Sequence, residues 1–371
     1  MTADAPIDPA RKTRRKAKRL FAWVLAIASL SVVAWIVPVR DRCEDPQARS
    51  GSTRVAVTRS AEACTLHLRS GDVVISAEQC ARLTCEPGLA STFARVRLGI
   101  VVALFVAYVA GMIAWAARWR MLLAFAGVEV RLRDLVRITL EAQAGGVLLP
   151  GGIGGDALRV AFVVGKGAPI AIAIASVMLD RMIGLVTLAG IAAALGLGFG
   201  GGRVGIVPWV LASIPFGAAL GLFALRSDRL RNVRFLNDGR LGKMAQPVLT
   251  YVAHPRALRA IAFGLLVSLF VSAVQLAVVR GLVLAVGGAP TDERWVILGT
   301  AMAFIVSAIP ALPGGWGTSD AAFVFFLGLA GLPATVALAS GLLYRLFWYL
   351  LGMIGAILYV VRARASSAQR E

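Results

Sequence analysis

The chain has 371 residues, 58% of them hydrophobic and 16% charged, with a mean hydropathy of +0.77 and a formal net charge of +19. Several apolar runs reach the ~20 residues that span a bilayer, which excludes a water-soluble globular protein and indicates an integral membrane protein. The basic residues sit in short connectors between apolar runs, as the positive-inside rule demands, and form no aromatic-interleaved platform, which argues against nucleic acid as a partner.

Residues 1–19 end in "RKTRRKAKR" and read as a basic cytoplasmic N-terminus. Leu20–Val39 is too long for a cleaved signal peptide and no small-x-small site follows it, so it reads as a retained signal anchor. Residues 40–95 then lie outside, and they differ in composition: arginines and acids nearly balance, and Cys43, Cys64, Cys80 and Cys85 all fall here. Four cysteines in a non-cytoplasmic segment suggest up to two disulfides. "CTLHLRSGDVVISAEQC" alternates around Ser70-Gly71-Asp72, a hairpin signal that brings Cys64 near Cys80 and leaves Cys43 for Cys85. A zinc site is the competing reading, but the cysteines lack paired C-x-x-C spacing. His67 reads as a strand-surface residue.

Val96–Ala117 returns inside and delivers Arg118, Arg120, Arg131, Arg133 and Arg137 to the cytoplasm. The next stretch, "LLPGGIGGDALR", places Pro150, Gly151, Gly152, Gly154, Gly155, Asp156 and Arg159 inside a hydrophobic run. Its arms, Leu135–Leu149 and Ala157–Val164, are each too short to cross ~30 Å at ~1.5 Å per residue, so they read as a re-entrant helical hairpin. Proline and glycine at membrane depth leave backbone groups unpaired, which is tolerated only inside protein or beside a water-filled cavity. Asp156 falls near the start of the returning helix, where a negative group is favoured. Glu141 reads equally as a cytoplasm-facing residue or a site residue. Pro169–Gly198 and Ile206–Leu225 are spans, so residues 96–225 form a first membrane repeat. Residues 226–259 form a basic cytoplasmic loop.

Residues 260–361 read as a second repeat, with Ala260–Val286 its first span, and 362–371 as a cytoplasmic tail. Within it "ALPGGWGTSDAAF" repeats the earlier core with Pro313, Gly314, Gly315, Gly317 and Asp320. An offset of 163 aligns the two glycine loops and 164 aligns Asp156 with Asp320 and Arg181 with Arg345. The matched runs cross in opposite directions, the signature of an inverted-topology repeat with a substrate site near the midplane. The fold expected is an all-α polytopic membrane protein of about six full spans plus two re-entrant hairpins, with a small β-rich extracytoplasmic insert. Asp180 and Arg181 are adjacent, and adjacent helix positions do not face each other. The expected partners are therefore across the repeats, Arg181 with Asp320 and Arg345 with Asp156.

"LLPGGIGGDALR", "SVMLDRMIGLVTL", "PGGWGTSDAAFVFFL", "RLFWYLLGMIG" and "RWRMLL" together resemble the lysylphosphatidylglycerol synthase transmembrane-region family, also called flippase-like membrane proteins. The resemblance covers roughly Val96–Val361. By position it implies that Pro150, Gly154, Gly155, Asp156 and Arg159 match the first family loop, Asp180 and Arg181 a central pair, and Gly314, Gly315 and Gly317 a second loop. That second loop usually carries glutamate after its glycines, where this chain has Ser319 and Asp320, so a different headgroup is implied. The polar residue that precedes the family's first loop has only Glu141 or Gln143 as counterparts. Nothing resembles the soluble aminoacyl-transfer domain of full-length synthases.

The resemblance implies a bacterial inner-membrane protein, multi-pass, both termini cytoplasmic, that moves a lipid or lipid-linked headgroup, such as an anionic phospholipid or a polyprenyl-phosphate sugar, between leaflets. Asp156, Arg159, Asp180, Arg181, Asp320 and Arg345 are the candidate substrate-binding residues, because an intramembrane charge is a functional hypothesis by default and arginine's planar fork suits phosphate. No catalytic residue, metal or cofactor is expected. The partners expected are membrane lipids, anionic ones first, with a second copy of the chain and a protein partner for the insert left open. A non-transporting lipid sensor or scaffold is the alternative, and an intramembrane lipid-modifying enzyme a further one.

Overall fold

The structure is a computed structural model that describes residues 31–44, 54–59, 63–68, 71–76, 78–79, 85–148, 153–198, 206–224, 251, 257–308 and 317–368. The loop positions Pro150, Gly151, Gly152, Pro313, Gly314 and Gly315, together with Cys80 and nearly all of the basic loop, lie outside them. Residues 31–36 are helical, and Val33 and Val37 pack against Leu338.

The insert is a five-stranded antiparallel sheet of β1 (Asp41–Glu44), β2 (Arg54–Arg59), β3 (Ala63–Leu68), β4 (Gly71–Ser76) and β5 (Cys85–Glu86), in the order β4-β3-β2-β1-β5. The alternation read around Gly71 is the β3–β4 hairpin, closed by Leu68 opposite Gly71. Cys43 pairs with Cys85 in register and forms a disulfide with it. Cys64 is also disulfide-bonded, and with Cys43, Val57 and Leu66 it makes the buried face. His67 is partly exposed and bonds Asp72 across the hairpin at 2.9 Å. Asp41 ties the sheet to the next helix, α1 (Leu89–Ala94), by accepting from the Gly88 amide at 2.7 Å and from the Ser91 hydroxyl.

The membrane region then repeats one pattern of helices. First come α2 (Leu98–Phe125, 28 residues), α3 (Leu132–Leu148, 17), α4 (Ile153–Val164, 12) and α5 (Ile170–Gly198, 29). After α6 (Val207–Ala224) the pattern returns as α7 (Ala257–Ala285, 29), α8 (Glu293–Ser307, 15), α9 (Thr318–Gly328, 11) and α10 (Ala334–Ala368, 35). Among the described residues four stretches are long and apolar enough to cross a membrane: Leu98–Phe125, Ile170–Gly196, Ala257–Ala285 and Ala334–Arg362. Large apolar side chains such as Val102, Val106, Phe263 and Leu266 stand exposed on α2 and α7, as lipid-facing surfaces require.

The leading helices of the two patterns pack antiparallel. Going forward along α2, the Arg97 amide donates to the Ala285 carbonyl, Gly111 abuts Val274 and Arg118 reaches Ser268, so α7 runs backward. A Cβ on Gly111 would lie 3.1 Å from Val274, its own counterpart at the 163 offset. Residues that are equivalent in the two halves and also touch mark the axis of a pseudo-twofold.

Each leading helix is followed by a hairpin of two short helices. In the first, Lys166 and Asp134 pair at 3.5 Å across the open base, and the arms close so tightly that a Cβ on Gly155 would come within 2.8 Å of the Ala142 carbonyl. In the second, the Thr291 amide and hydroxyl donate to the Ala330 carbonyl at the base. The first base follows the end of α2 and the second the end of α7, so the bases lie at opposite ends of the antiparallel pair. The halves also exchange partners: α3 packs on α10 and α8 on α5. At Gly355 the approach of α10 to α3 leaves no room for any side chain beside the Leu140 carbonyl.

Candidate functional site

Asp180 on α5 is fully buried and is the hub of an ion cluster. Its carboxylate accepts from Arg118 Nε at 2.8 Å, from both terminal nitrogens of Arg159 at 3.1 Å and from Trp115 Nε1 at 2.7 Å. Arg118 further donates to the Asp180 carbonyl at 3.0 Å and to Ser268 on α7 at 2.8 Å. Trp115, Arg118 and Trp119 stand at i, i+3 and i+4 on one face of α2. The Arg159 guanidinium lies over both indoles, 4.0 Å from the Trp119 centroid and 4.9 Å from that of Trp115.

This corrects the placement of Arg118 in a cytoplasmic connector. Helix α2 continues to Phe125, and Arg118 is tolerated inside it because Asp180 compensates its charge. The signal was the Trp-x-x-Arg-Trp spacing in a run whose apolar count stops at the first charge.

Arg181, the neighbour of Asp180, points elsewhere. It grips Asp156 in a two-pronged pair at 3.0 to 3.2 Å, 25 residues apart. Arg345 holds Asp320 at 2.8 and 3.0 Å across the same 25-residue spacing. The expected cross-repeat pairs, Arg181 with Asp320 and Arg345 with Asp156, are therefore replaced by pairs within each repeat. The reason is local: each aspartate is in the first turn of the returning arm, beside the helix that begins a few residues later. Asp320 also accepts from the Gly317 amide at 2.9 Å, and Gly317 adopts φ 79°, a conformation glycine takes without strain.

The two pairs differ in exposure. The Asp320–Arg345 side chains are 4% and 8% exposed, those of Asp156 and Arg181 27% and 44%. Asp156 and Arg181 line a small open cleft, with a volume of about 40 Å³, together with Arg159, Thr139, Gln143 and Trp348. Its walls come from α2, α3, α4, α5 and α10, so among the described residues the second repeat contributes to it through α10. Three of the lining residues each bury a polar atom, Thr139 Oγ1, Gln143 Oε1 and Arg159 Nε, that has no hydrogen-bond partner among the described residues. Arg118, Arg159 and Arg181 against Asp156 and Asp180 leave one uncompensated positive charge there.

Glu141 is buried on another face of α3, where it pairs with Arg137 at 2.9 Å and Arg362 at 3.0 Å, and it does not line the cleft. Gln143 was named from the sequence only as one of two counterparts of the family's polar residue before the first loop, and Thr139, Trp115 and Trp348 were not singled out. Among the described residues no group of three or more His, Cys, Asp or Glu could hold a metal ion.

The cleft is not duplicated. At the same offsets the second repeat has Val278 for Trp115, Leu282 for Trp119, Met302 for Thr139, Val306 for Gln143 and Phe323 for Arg159. Of the charged set only the aspartate–arginine pair recurs.

Compared with curated proteins, the chain gives no match. The profile of the family described as Lysylphosphatidylglycerol synthase TM region matches residues 88–356, from α1 to the middle of α10, and it takes in every residue of the cleft and both aspartate–arginine pairs. The chain belongs to the lysylphosphatidylglycerol synthase TM region family.

Proposed function

We propose that this protein moves a lipid or lipid-linked headgroup that carries a phosphate between the two leaflets of a bacterial inner membrane, without catalysing a reaction. The observation that carries the reading is the cleft beside the first hairpin: net positive, open, and lined by Thr139, Gln143 and Arg159, each of which buries a polar atom without a partner among the described residues. A buried polar atom without a partner is costly, and a phosphate-bearing headgroup supplies acceptors for arginine donors in their planar geometry.

In this reading the helical pairs α3–α4 and α8–α9 are re-entrant hairpins entering from opposite faces, for which the opposed bases and the short arms argue. Leu20–Val39 and α6 complete six spans, and both termini are cytoplasmic. The insert 40–95 then lies outside and the loop 226–259 inside. Arg181 is the mobile partner: Asp156 holds it while the cleft is empty, and the headgroup takes it over on entry. Arg159 is fixed by Asp180 and the two indoles. The glycines of both loops let a hairpin shift and open the cleft to each leaflet in turn.

Reconstitution into vesicles with a fluorescent anionic lipid, followed by quenching of the outer leaflet, tests this. Arg181→Ala and Arg159→Gln should each slow exchange at least about tenfold. Wild-type rates from both would refute the assignment. The static Asp320–Arg345 pair favours one other reading, a lipid-sensing scaffold, which predicts headgroup binding without leaflet exchange.

A further inference from the structure

Resting on that assignment of the cleft, we infer that the Trp348 indole is its moving wall: the side chain that narrows the cleft in this structure and swings aside to admit a headgroup.

Size requires some wall to move. A volume of about 40 Å³ has room for about three waters at ~10–15 Å³ each, which excludes a phosphate-bearing headgroup. Most of the lining is held. Trp115 donates to Asp180 and carries Arg159 over its ring, Arg159 is itself bound to Asp180, and Arg181 stays on Asp156 until an anion has reached it. Gly146 and Gly155 close the hairpin backbone against backbone, a Cβ on Gly155 lying 3.6 Å from the Gly146 Cα. Trp348 differs from all of these. Among the described residues no hydrogen bond or ion pair holds its side chain, and its ring meets that of Tyr349, its neighbour on the same helix, at 5.6 Å. The edge of the indole rests on α3 at Gly146, where an added Cβ would come within 3.3 Å of Cζ2.

The contact between α3 and α10 is thus fixed at one end and free at the other. About two turns beyond Trp348, at Gly355, the Leu140 carbonyl leaves no room for a side chain, and further on Arg362 pairs with Glu141. Toward the hairpin tip the contact is an indole edge on a glycine, which the ring can leave without breaking a hydrogen bond. The device belongs to one half of the molecule. At the 164 offset the counterpart of Trp348 is Gly184, and a Cβ there would lie 3.8 Å from the Arg118 guanidinium.

The test measures how fast Thr139→Cys, inside the cleft, is labelled by a water-soluble anionic methanethiosulfonate, with the full chain in phosphatidylcholine nanodiscs. No described cysteine is free, and the chain without the added thiol gives the background. The labelling rate scales with the population in which the cleft is open. Trp348→Ala should raise it about tenfold, and Trp348→Phe by less. Gly146→Ala should raise it too, because the methyl disturbs the seat of the indole while favouring the helix itself, and it carries the test alone if Trp348→Ala unfolds. Added to Trp348→Ala, it should have no further effect, since the seat then has no occupant. An unchanged rate in Trp348→Ala, an unchanged or slower rate in Gly146→Ala, or effects of the two that multiply would each overturn the inference and leave the anion site of the proposed function standing. Labelling moves no lipid, so the converse is also readable: faster labelling in these variants, beside wild-type leaflet exchange in Arg181→Ala and Arg159→Gln, would keep the moving wall and remove the transport reading.

Discussion

Asp180 and Arg181 are neighbours in the chain and opposites in environment. Asp180 is fully buried and binds Arg118 and Arg159, while Arg181 is 44% exposed on its side chain and reaches Asp156 at the edge of the cleft. Adjacent helix positions diverge by about 100°, so one dipeptide supplies both a buried hub and a half-exposed cation.

Asp180 should therefore behave as a structural residue and Asp156 as a functional one. Asp180→Leu leaves two buried arginines without their carboxylate, a loss on the order of 3–5 kcal/mol, seen as a large fall in thermal stability in detergent. Asp156→Asn breaks a half-exposed pair worth about 0–1 kcal/mol, so stability should hardly change while headgroup binding does. The reverse order of stabilities would show that Asp156 and not Asp180 anchors the bundle.

Pairing within each repeat makes its own prediction for double-mutant cycles. Arg181→Ala with Asp156→Ala, and Arg345→Ala with Asp320→Ala, should each show coupling of about 0.5–3 kcal/mol, the second pair the stronger because it is buried. Arg181→Ala with Asp320→Ala should be additive. Coupling across the repeats, measured by thermal denaturation, would overturn the arrangement.

Much of this was legible in the chain. The two L-P-G-G-x-G cores marked the hairpins, and the 25-residue spacing from each aspartate to its arginine was noticed as a repeat. What spacing does not say is whether the two ends touch. That depends on the returning arm and the next helix lying side by side, and each pair turned out to be its own partner. Arg118 was misplaced for a related reason. A charge ends an apolar run when counted alone, yet Arg118 continues the helix because Asp180, 62 residues later, neutralises it. Thr139 carried no signal beyond its polarity and Gln143 only its position before the first loop; that each buries an oxygen without a partner among the described residues is visible only in the folded interior.

Gly155 should be far less replaceable than Gly190. A Cβ on Gly155 meets the Ala142 carbonyl at 2.8 Å, so Gly155→Val must force the hairpin arms apart at a cost of about 1–3 kcal/mol. Gly190 sits in mid-helix on α5 with nothing within 4 Å of an added Cβ, and Gly190→Ala should stabilise by about 0.5–1 kcal/mol through helix propensity. Thermal stability of the two variants in detergent should move in opposite directions. If both are neutral, the hairpin arms are not held by the contact at Ala142.

The Cys43–Cys85 bridge should hold the insert together without supporting the helices. It closes a loop with a sequence separation of 42, for which loop-closure entropy gives about 3–4 kcal/mol. It also clamps β5, a strand of only two residues, onto β1. In the double variant Cys43→Ser with Cys85→Ser, limited proteolysis of the purified protein should cut within 44–85 while the fragment from α2 onward stays intact. Among the described residues the sheet is joined to the helices at α1, where Asp41 accepts from the Gly88 amide, so unfolding of the sheet can stop there. Cleavage that spreads into α2 would mean that the sheet braces the bundle; no cleavage would mean that the ladder between β1 and β2 is sufficient without the bridge.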